Sequence, residues 1–186
     1  LEWLWKMDSY NIKYSISNSP KEVLGVVFCA WINESALTVE RKIKLARKAI
    51  GRYQNAWDII ASKLPQGTST ICYSLNTPQY RKIDEPNEVY VHEINKTYVE
   101  YLRMCVDNAN ADTGRWIKIL EYISSYEVSI QKEVFEKLLF DCKSMKDREK
   151  IRIKNKIRYE IFRNRYFDDA EWSMPEKVLC EYERVM

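Results

Sequence analysis

The chain has 186 residues, of which 46% are hydrophobic and 13% aromatic, enough to bury a core and to exclude an intrinsically disordered segment. It contains only four Gly and five Pro, and so few turn-forming residues favour long helices over many short strands. The formal net charge is +3, and no apolar run approaches the roughly 18 residues that a membrane-spanning helix needs. The sequence begins at Leu1 without an initiator Met or the features of a signal peptide. We therefore expect an intracellular fragment, cytoplasmic or nuclear, of a longer protein.

Sequence patterns for catalysis and metal binding are mostly missing. The five cysteines include no C-x-x-C pair and His92 is the only histidine, so we expect no zinc site and a reducing compartment. The glycines are isolated, which excludes a Gly-rich phosphate loop, and no Ser or Cys lies in a nucleophile-elbow sequence. We predict no catalytic residue, no metal, no cofactor and no small-molecule substrate. The enzymatic alternative is a metal-dependent nuclease built on four carboxylates and a lysine: Asp84, Glu85, Glu88, Glu93 and Lys96.

Two helices are predicted in the first 65 residues. Residues 1–18 are a candidate N-terminal appendage, in which Trp3 and Trp5 indicate docking onto an apolar surface. The first helix begins at Ser19 with the sequence SPKE, a capping box with Pro at the first helical position. Apolar residues that recur at steps of three, four and seven predict a second helix over residues 38–63.

The remainder is predicted to be a long loop at residues 65–87 followed by five helices. These helices cover residues 89–107, 114–124, 127–143, 143–167 and 173–184, and the last begins with a second capping box, the sequence SMPE at Ser173. The pattern predicts an all-α fold, a single globular helical domain of about six to seven helices over residues 1–186. Stacked helical hairpins are the alternative, because four of the cysteines recur at a spacing close to that of helical repeats.

Positive charge is concentrated in two of the predicted helices. The segment 143–167 contains ten Lys/Arg against three Asp/Glu. The helix over 38–63 has a basic strip opposite its apolar stripe, formed by Arg41, Lys44, Lys48 and Arg52. An acidic segment, residues 168–183, directly follows the first cluster and is able to neutralise it within the fold.

The basic segment 143–167 has several distinct surfaces when it is drawn at 100° per residue. Ile153, Ile157 and Ile161 make an aliphatic face. Four large side chains fall together elsewhere and are called the aromatic face: Ile151, Tyr159, Phe162 and Tyr166. Cations flank that face in two rows: Arg152, Lys156 and Arg163 on one side, and Lys154, Arg158 and Arg165 on the other. Either the helix is clamped between neighbours, with cationic stems covering apolar surface, or bases stack on the rings while the cations hold phosphates.

Two classes of function fit these features. The favoured one is a non-catalytic protein–protein interaction domain, an adaptor or scaffold, because aromatic anchors are enriched in such surfaces. The alternative is an RNA- or single-stranded nucleic-acid-binding domain that uses the basic faces of residues 41–52 and 143–167. The expected partner is thus another protein, with nucleic acid as the alternative and no membrane. The candidate binding residues are Arg41, Lys44, Lys48, Arg52, Arg152, Lys156, Arg158, Tyr159, Phe162, Arg163 and Tyr166.

Overall fold

The computed structural model describes residues 1–10, 19–31, 37–65, 90–170 and 173–185. These residues form nine α-helices and one short 3-10 turn, and no strand occurs among them, so the predicted all-α fold is confirmed. The helices are α1 Glu2–Ser9, α2 Pro20–Val27, α3 Val39–Ile50, α4 Ala56–Ala61, α5 Val91–Asp107, α6 Thr113–Tyr122, α7 Val128–Cys142, α8 Asp147–Tyr166 and α9 Glu176–Glu183, with the 3-10 turn at Ile123–Ser125. The described helices outnumber the six to seven predicted because α1 is helical and the second predicted helix is divided.

The helices fall into two compact units, Leu1–Tyr101 and Leu102–Met186, and the boundary lies within α5. In the first unit α1 packs on α2, and α4 packs on both α2 and α3. In the second unit α8 packs on α6 and on α9. The predicted loop at 65–87 lies, beyond Pro65, outside the described residues. None of the helices in the described ranges is long and apolar enough to cross a membrane.

Trp5 attaches α1 to the first unit. Its side chain is 3% exposed, and its ring stacks on Tyr53 with the centroids 5.7 Å apart. The same ring lies 5.6 Å from that of Phe28. Trp3 is on the opposite side of α1 and is 76% exposed. The docking expected of the two tryptophans is thus found for Trp5, while Trp3 faces solvent.

The prediction of one continuous second helix is wrong, because α3 and α4 are separated by a turn at residues 51–55. Within this turn Tyr53 places its ring against Trp5. The side-chain amide of Asn55 donates a hydrogen bond to the carboxylate of Asp8. Both partners belong to α1, so the break coincides with tertiary contacts that the apolar periodicity of the segment does not contain.

The two predicted capping boxes have different outcomes. At Ser19 the box is confirmed: the hydroxyl accepts from the Glu22 amide at 3.3 Å, and the Glu22 carboxylate accepts from the Ser19 amide at 2.8 Å. At Ser173 it is wrong, because α9 has no side-chain cap. The Ser173 hydroxyl donates instead to the Asn164 carbonyl at 2.9 Å, and the Met174 amide donates to Asn164 Oδ1 at 2.8 Å. The SMPE motif therefore stabilises the link between α8 and α9 and does not cap a helix.

A buried carboxylate, Asp141 of α7, joins three parts of the second unit. It accepts hydrogen bonds from Trp116 Nε1 at 3.2 Å and from Lys137 Nζ at 2.8 Å. It also accepts from the backbone amide of Ala111 at 3.3 Å. Ala111 has a φ of 56°, a left-handed conformation that is unfavourable for alanine. The bond to Asp141 therefore helps to hold the turn between α5 and α6.

Replacement of Trp5 by alanine is expected to destabilise the first unit strongly. The change removes a buried ring and leaves a cavity, which typically costs about 3–5 kcal/mol of unfolding free energy. Trp3→Ala is the matched control and should cost less than about 1 kcal/mol, because its ring is exposed and loses mainly a cation–π contact with Lys6. Urea unfolding of both variants measures the difference, and equal losses would contradict the docking of α1 by Trp5.

Because of Tyr182 in α9, the stability of the second unit is expected to fall at alkaline pH. Its ring is buried edge-on against Phe135, with the centroids 4.7 Å apart, and its hydroxyl has no hydrogen-bond partner among the described residues. Burial raises the pKa of Tyr182 above its ordinary value, and the nearby Glu160 adds to the rise. Because the folded-state pKa is raised, the associated stability is complete below about pH 10 and is lost as the pH rises further.

Tyr182→Phe should therefore lose less unfolding free energy than the wild type when the pH is raised above about 10. At neutral pH the variant should be equal to the wild type or up to about 1 kcal/mol more stable, because an unpaired buried hydroxyl is removed. Tyr166→Phe, which removes a hydroxyl from an exposed ring, is the control. Urea unfolding across a pH series measures the effect, and parallel pH profiles for wild type and Tyr182→Phe would refute it.

Candidate functional site

The buried side of α8 determines which of its surfaces is available to a partner. The helix begins at Asp147, a few residues later than predicted. Ile153, Ile157 and Ile161 are all buried, as expected for the aliphatic face. Asn164 is buried on the same side and bonds to the link before α9. With this side packed inside the second unit, the opposite side of α8 faces solvent.

The aromatic face lies on that opposite side and is exposed. Tyr159 is 56% exposed, Phe162 64% and Tyr166 68%, and Ile151 is exposed as well. The rings of Phe162 and Tyr166 stack with their centroids 5.7 Å apart. Phe167 extends the row, with its ring edge-on to Tyr166 at 4.8 Å. The side chains on which both functional hypotheses depend are therefore accessible.

Two of the predicted binding cations are paired inside the second unit. The carboxylate of Glu160 is buried and lies 2.8 Å from Lys156 Nζ and 3.1 Å from Arg163 Nη2. Lys156 is also 3.7 Å from the carboxylate of Glu121 in α6. The charges of Lys156 and Arg163 are thus largely compensated, mainly by a residue of the same helix.

A third cation of α8, Arg165, is paired with α9. Its guanidinium bonds to Glu176 and lies 2.7 Å from the carboxylate of Glu183. The hydrogen bond from Arg165 lowers the pKa of Glu176 below its ordinary value. The expectation that the acidic segment neutralises the basic helix is thus confirmed for this arginine.

Three further cations of α8 have no such compensation. Arg152, Lys154 and Arg158 are exposed, and none of them forms an ion pair with a residue in the described ranges. At 100° per residue, Arg152 lies on one side of the aromatic face while Lys154 and Arg158 lie on the other. The exposed rings are therefore bordered on both sides by uncompensated positive charge.

An open groove of about 430 Å³ lies where α8 meets α9. Its lining is mostly apolar and consists of Arg158, Ile161, Phe162, Arg165, Tyr166 and Glu183. Ile161 is the most buried of these side chains. The stacked rings of Phe162 and Tyr166 belong to the lining, so the groove is continuous with the aromatic face.

The basic strip belongs to the first unit and is only partly compensated. All four of its side chains are exposed. Arg52 lies 2.9 Å and Lys48 3.6 Å from the carboxylate of Glu2 in α1. Arg41 and Lys44 form no ion pair with a described residue. The strip and α8 are in different compact units, so each is a candidate surface by itself.

Two residues of the alternative nuclease site are described by the structure, and both contact other residues of the fold. Three of its carboxylates, at residues 84–88, lie outside the described ranges. Glu93 accepts a hydrogen bond from the Tyr90 amide at 3.0 Å at the start of α5. Lys96 lies 3.0 Å from the carboxylate of Glu40. In the described part of the chain, no three His, Cys, Asp or Glu side chains are grouped so that they could hold a metal ion.

The sequence patterns did not predict the ion pairs of Glu160 or the exposure of the Phe140 and Phe167 rings. Glu160 lies four residues after one cation and three before another, and this spacing is the signal for its ion pairs. Phe140 of α7 is exposed on the side of that helix away from the buried Val134 and Leu138, with Lys137 Nζ 4.9 Å from its ring centroid. In the predicted helix 143–167, Phe167 projects off the aromatic face, about 100° from Tyr166. In the structure it lies just beyond the end of α8, and its ring is edge-on to Tyr166.

Comparisons with known proteins assign no family to the chain. No protein-family model matches the sequence, and neither a curated protein nor a solved structure shows significant similarity to it. The functional inference therefore starts from the exposed side chains of α8 and the charges beside them.

Glu160→Gln is expected to destabilise the second unit by about 2–3 kcal/mol, because it removes the negative charge that two adjacent cations share. The loss should be at the lower end of the range for buried pairs, since Arg163 remains partly in water. Glu136→Gln on α7 is the control, as Glu136 is exposed and has no ion pair among the described residues. Urea unfolding, with hydrogen exchange of the α8 amides, measures the effect. Identical unfolding midpoints for the two variants would rule out the role of Glu160.

Proposed function

We propose that the chain is a non-catalytic helical protein–protein interaction domain, of the adaptor or scaffold type, which binds its partner through the aromatic face of α8. The observation that carries the proposal is the exposure of Tyr159, Phe162 and Tyr166 on the side opposite the buried isoleucines. Clustered exposed aromatic side chains are characteristic of binding surfaces, where they act as anchors.

The helix that presents these rings is packed along its inner side, which favours binding. Ile153, Ile157 and Ile161 are buried on that side, and Asn164 bonds to the link before α9. A surface that is already ordered loses little conformational entropy when a partner binds. The aromatic face itself contributes little to the core, so its side chains are available for intermolecular contacts.

The distribution of charge supports a protein partner over a nucleic acid. α8 contains eight Lys/Arg, but Lys156, Arg163 and Arg165 are paired with carboxylates inside the second unit. The positive electrostatic potential around the aromatic face is consequently weaker than the sequence indicates. Strong nucleic-acid binding depends on many free cations that contact phosphates.

Single-stranded nucleic acid is the second candidate partner, because uncompensated cations lie beside exposed rings. Arg152, Lys154 and Arg158 are exposed and uncompensated beside accessible rings. Stacking of bases on aromatic side chains, with cations along the backbone, is the usual arrangement in such sites. The two candidates differ in how their affinity depends on salt.

The double variant Phe162→Ala, Tyr166→Ala should retain the stability of the wild type, because both rings are exposed, and should lose the partner. Cross-linking in extracts of the source cells, compared between wild type and variant, identifies proteins that depend on these rings. Each such protein is then purified and titrated against both forms. Trp3→Ala, which removes an exposed ring from the first unit, is the control and should bind normally. Purified partners that bind the double variant as tightly as the wild type would refute the proposal.

Titration with a labelled single-stranded RNA at low and moderate salt tests the second candidate. Charge reversal should be made at Arg152 and Lys154, because reversal at Lys156 or Arg163 would break the pairs of Glu160 and perturb folding. Under the protein-interaction proposal, RNA binds weakly even at low salt. Tight RNA binding that falls steeply with salt and is lost on reversal would replace the proposal with the nucleic-acid function.

A further inference from the structure

The groove between α8 and α9 is an open recess in the candidate surface. It joins the stacked Phe162 and Tyr166 rings to the more deeply set Ile161. In protein interfaces, the residues that dominate affinity are large side chains inserted into recesses of the partner, from which binding excludes water. A volume of about 430 Å³ lies within the range of binding pockets and is sufficient for a bulky apolar side chain.

The two arginines of the groove differ in their availability. Arg165 is held by Glu176 and Glu183, so its guanidinium already has carboxylate partners. Arg158 is two helical turns away along the same row and has no ion pair with a residue in the described part of the chain. A ligand in the groove thus meets one unsatisfied positive charge, and a carboxylate is the complementary group.

The same helix, α8, of a second copy does not fit this surface well. From Ile151 to Tyr166 the only acid on α8 is Glu160, which is buried and already paired. In a parallel pair of α8 helices, the side with Arg152 of one copy would face the side with Lys154 and Arg158 of the other. In an antiparallel pair centred on Tyr159, the Arg158 side chains of the two copies would meet near the twofold axis. Like charges placed together in an interface are unfavourable, so a partner that carries the opposite charge is favoured.

We infer that the α8–α9 groove is the anchor site for an acidic amphipathic helix of a partner protein, an inference that rests on the proposed protein-interaction function. A bulky apolar side chain of that helix fills the groove against Ile161, Phe162 and Tyr166. An Asp or Glu on the same helix pairs with Arg158, and further acids face Arg152 and Lys154. This is the helix-in-groove mode of recognition, with aromatic side chains giving affinity and the arginine giving specificity.

The test is selection of a displayed library of random peptides on the full chain. Peptides of about 15 residues are suitable, because as helices they span about 22 Å, the length of the row from Ile151 to Tyr166. Selected peptides should combine bulky apolar residues at helical spacing with Asp or Glu. Arg158→Glu should weaken the binding of these peptides by about tenfold or more. Changing the critical acid of the peptide to Lys should restore part of its affinity for the Arg158→Glu variant. Lys44→Glu, at an exposed uncompensated cation of the first unit, is the control and should leave the affinity unchanged.

The other outcomes separate this inference from the proposed function. If selected peptides depend on Tyr159 but bind Arg158→Glu normally, the aromatic face binds protein and the groove is not the anchor. If the chain instead self-associates in sedimentation experiments, and Phe162→Ala abolishes this, the occupant is a second copy and the acidic helix is wrong. If no selected peptide depends on any residue of the aromatic face or groove, both the inference and the proposed function fail.

Discussion

The burial of Ile153, Ile157 and Ile161 fixes the rotation of α8 about its own axis. If the helix turned, these side chains would be exposed to water, and Asn164 would lose its hydrogen bonds to Ser173 and Met174 in the link before α9. The same rotation buries the carboxylate of Glu160 beside Lys156 and Arg163 of its own helix and directs the aromatic face outward. The composition of the exposed surface is therefore a consequence of which side of α8 is buried.

This arrangement divides the positive charge of α8 into two functional groups. Cations near the core are compensated by Glu160, Glu121 and the carboxylates of α9, and they contribute to the fold. Cations beside the aromatic face, such as Arg152 and Arg158, remain available to a partner. The net charge of a helix is therefore a poor measure of its binding surface, because intramolecular ion pairs remove part of it.

The aromatic residues of the chain also divide into those that stabilise it and those available for binding. Trp5 and Tyr182 are buried, each in its own unit, and pack against other rings. Phe162 and Tyr166 stack only at the surface, so that changes there can alter binding with little effect on folding. This separation makes the proposed function testable by substitution, since loss of binding is not confounded by loss of structure.

Local periodicity and neighbouring residues are sufficient to predict the helical class, most helix positions, the first capping box and the aliphatic face of α8. The tertiary structure alone decided the break between α3 and α4, where Tyr53 and Asn55 meet α1. Tertiary packing also brings Ser173 and Met174 of the SMPE motif to Asn164, to which they donate hydrogen bonds, so the motif does not cap a helix. For the candidate site, the sequence placed rings and cations on the correct sides of one helix. Lys156 and Arg163 are compensated by Glu160 of the same helix, a pairing that its spacing in the sequence indicates. The pairs of Lys156 with α6 and of Arg165 with α9 exist only once the helices are packed.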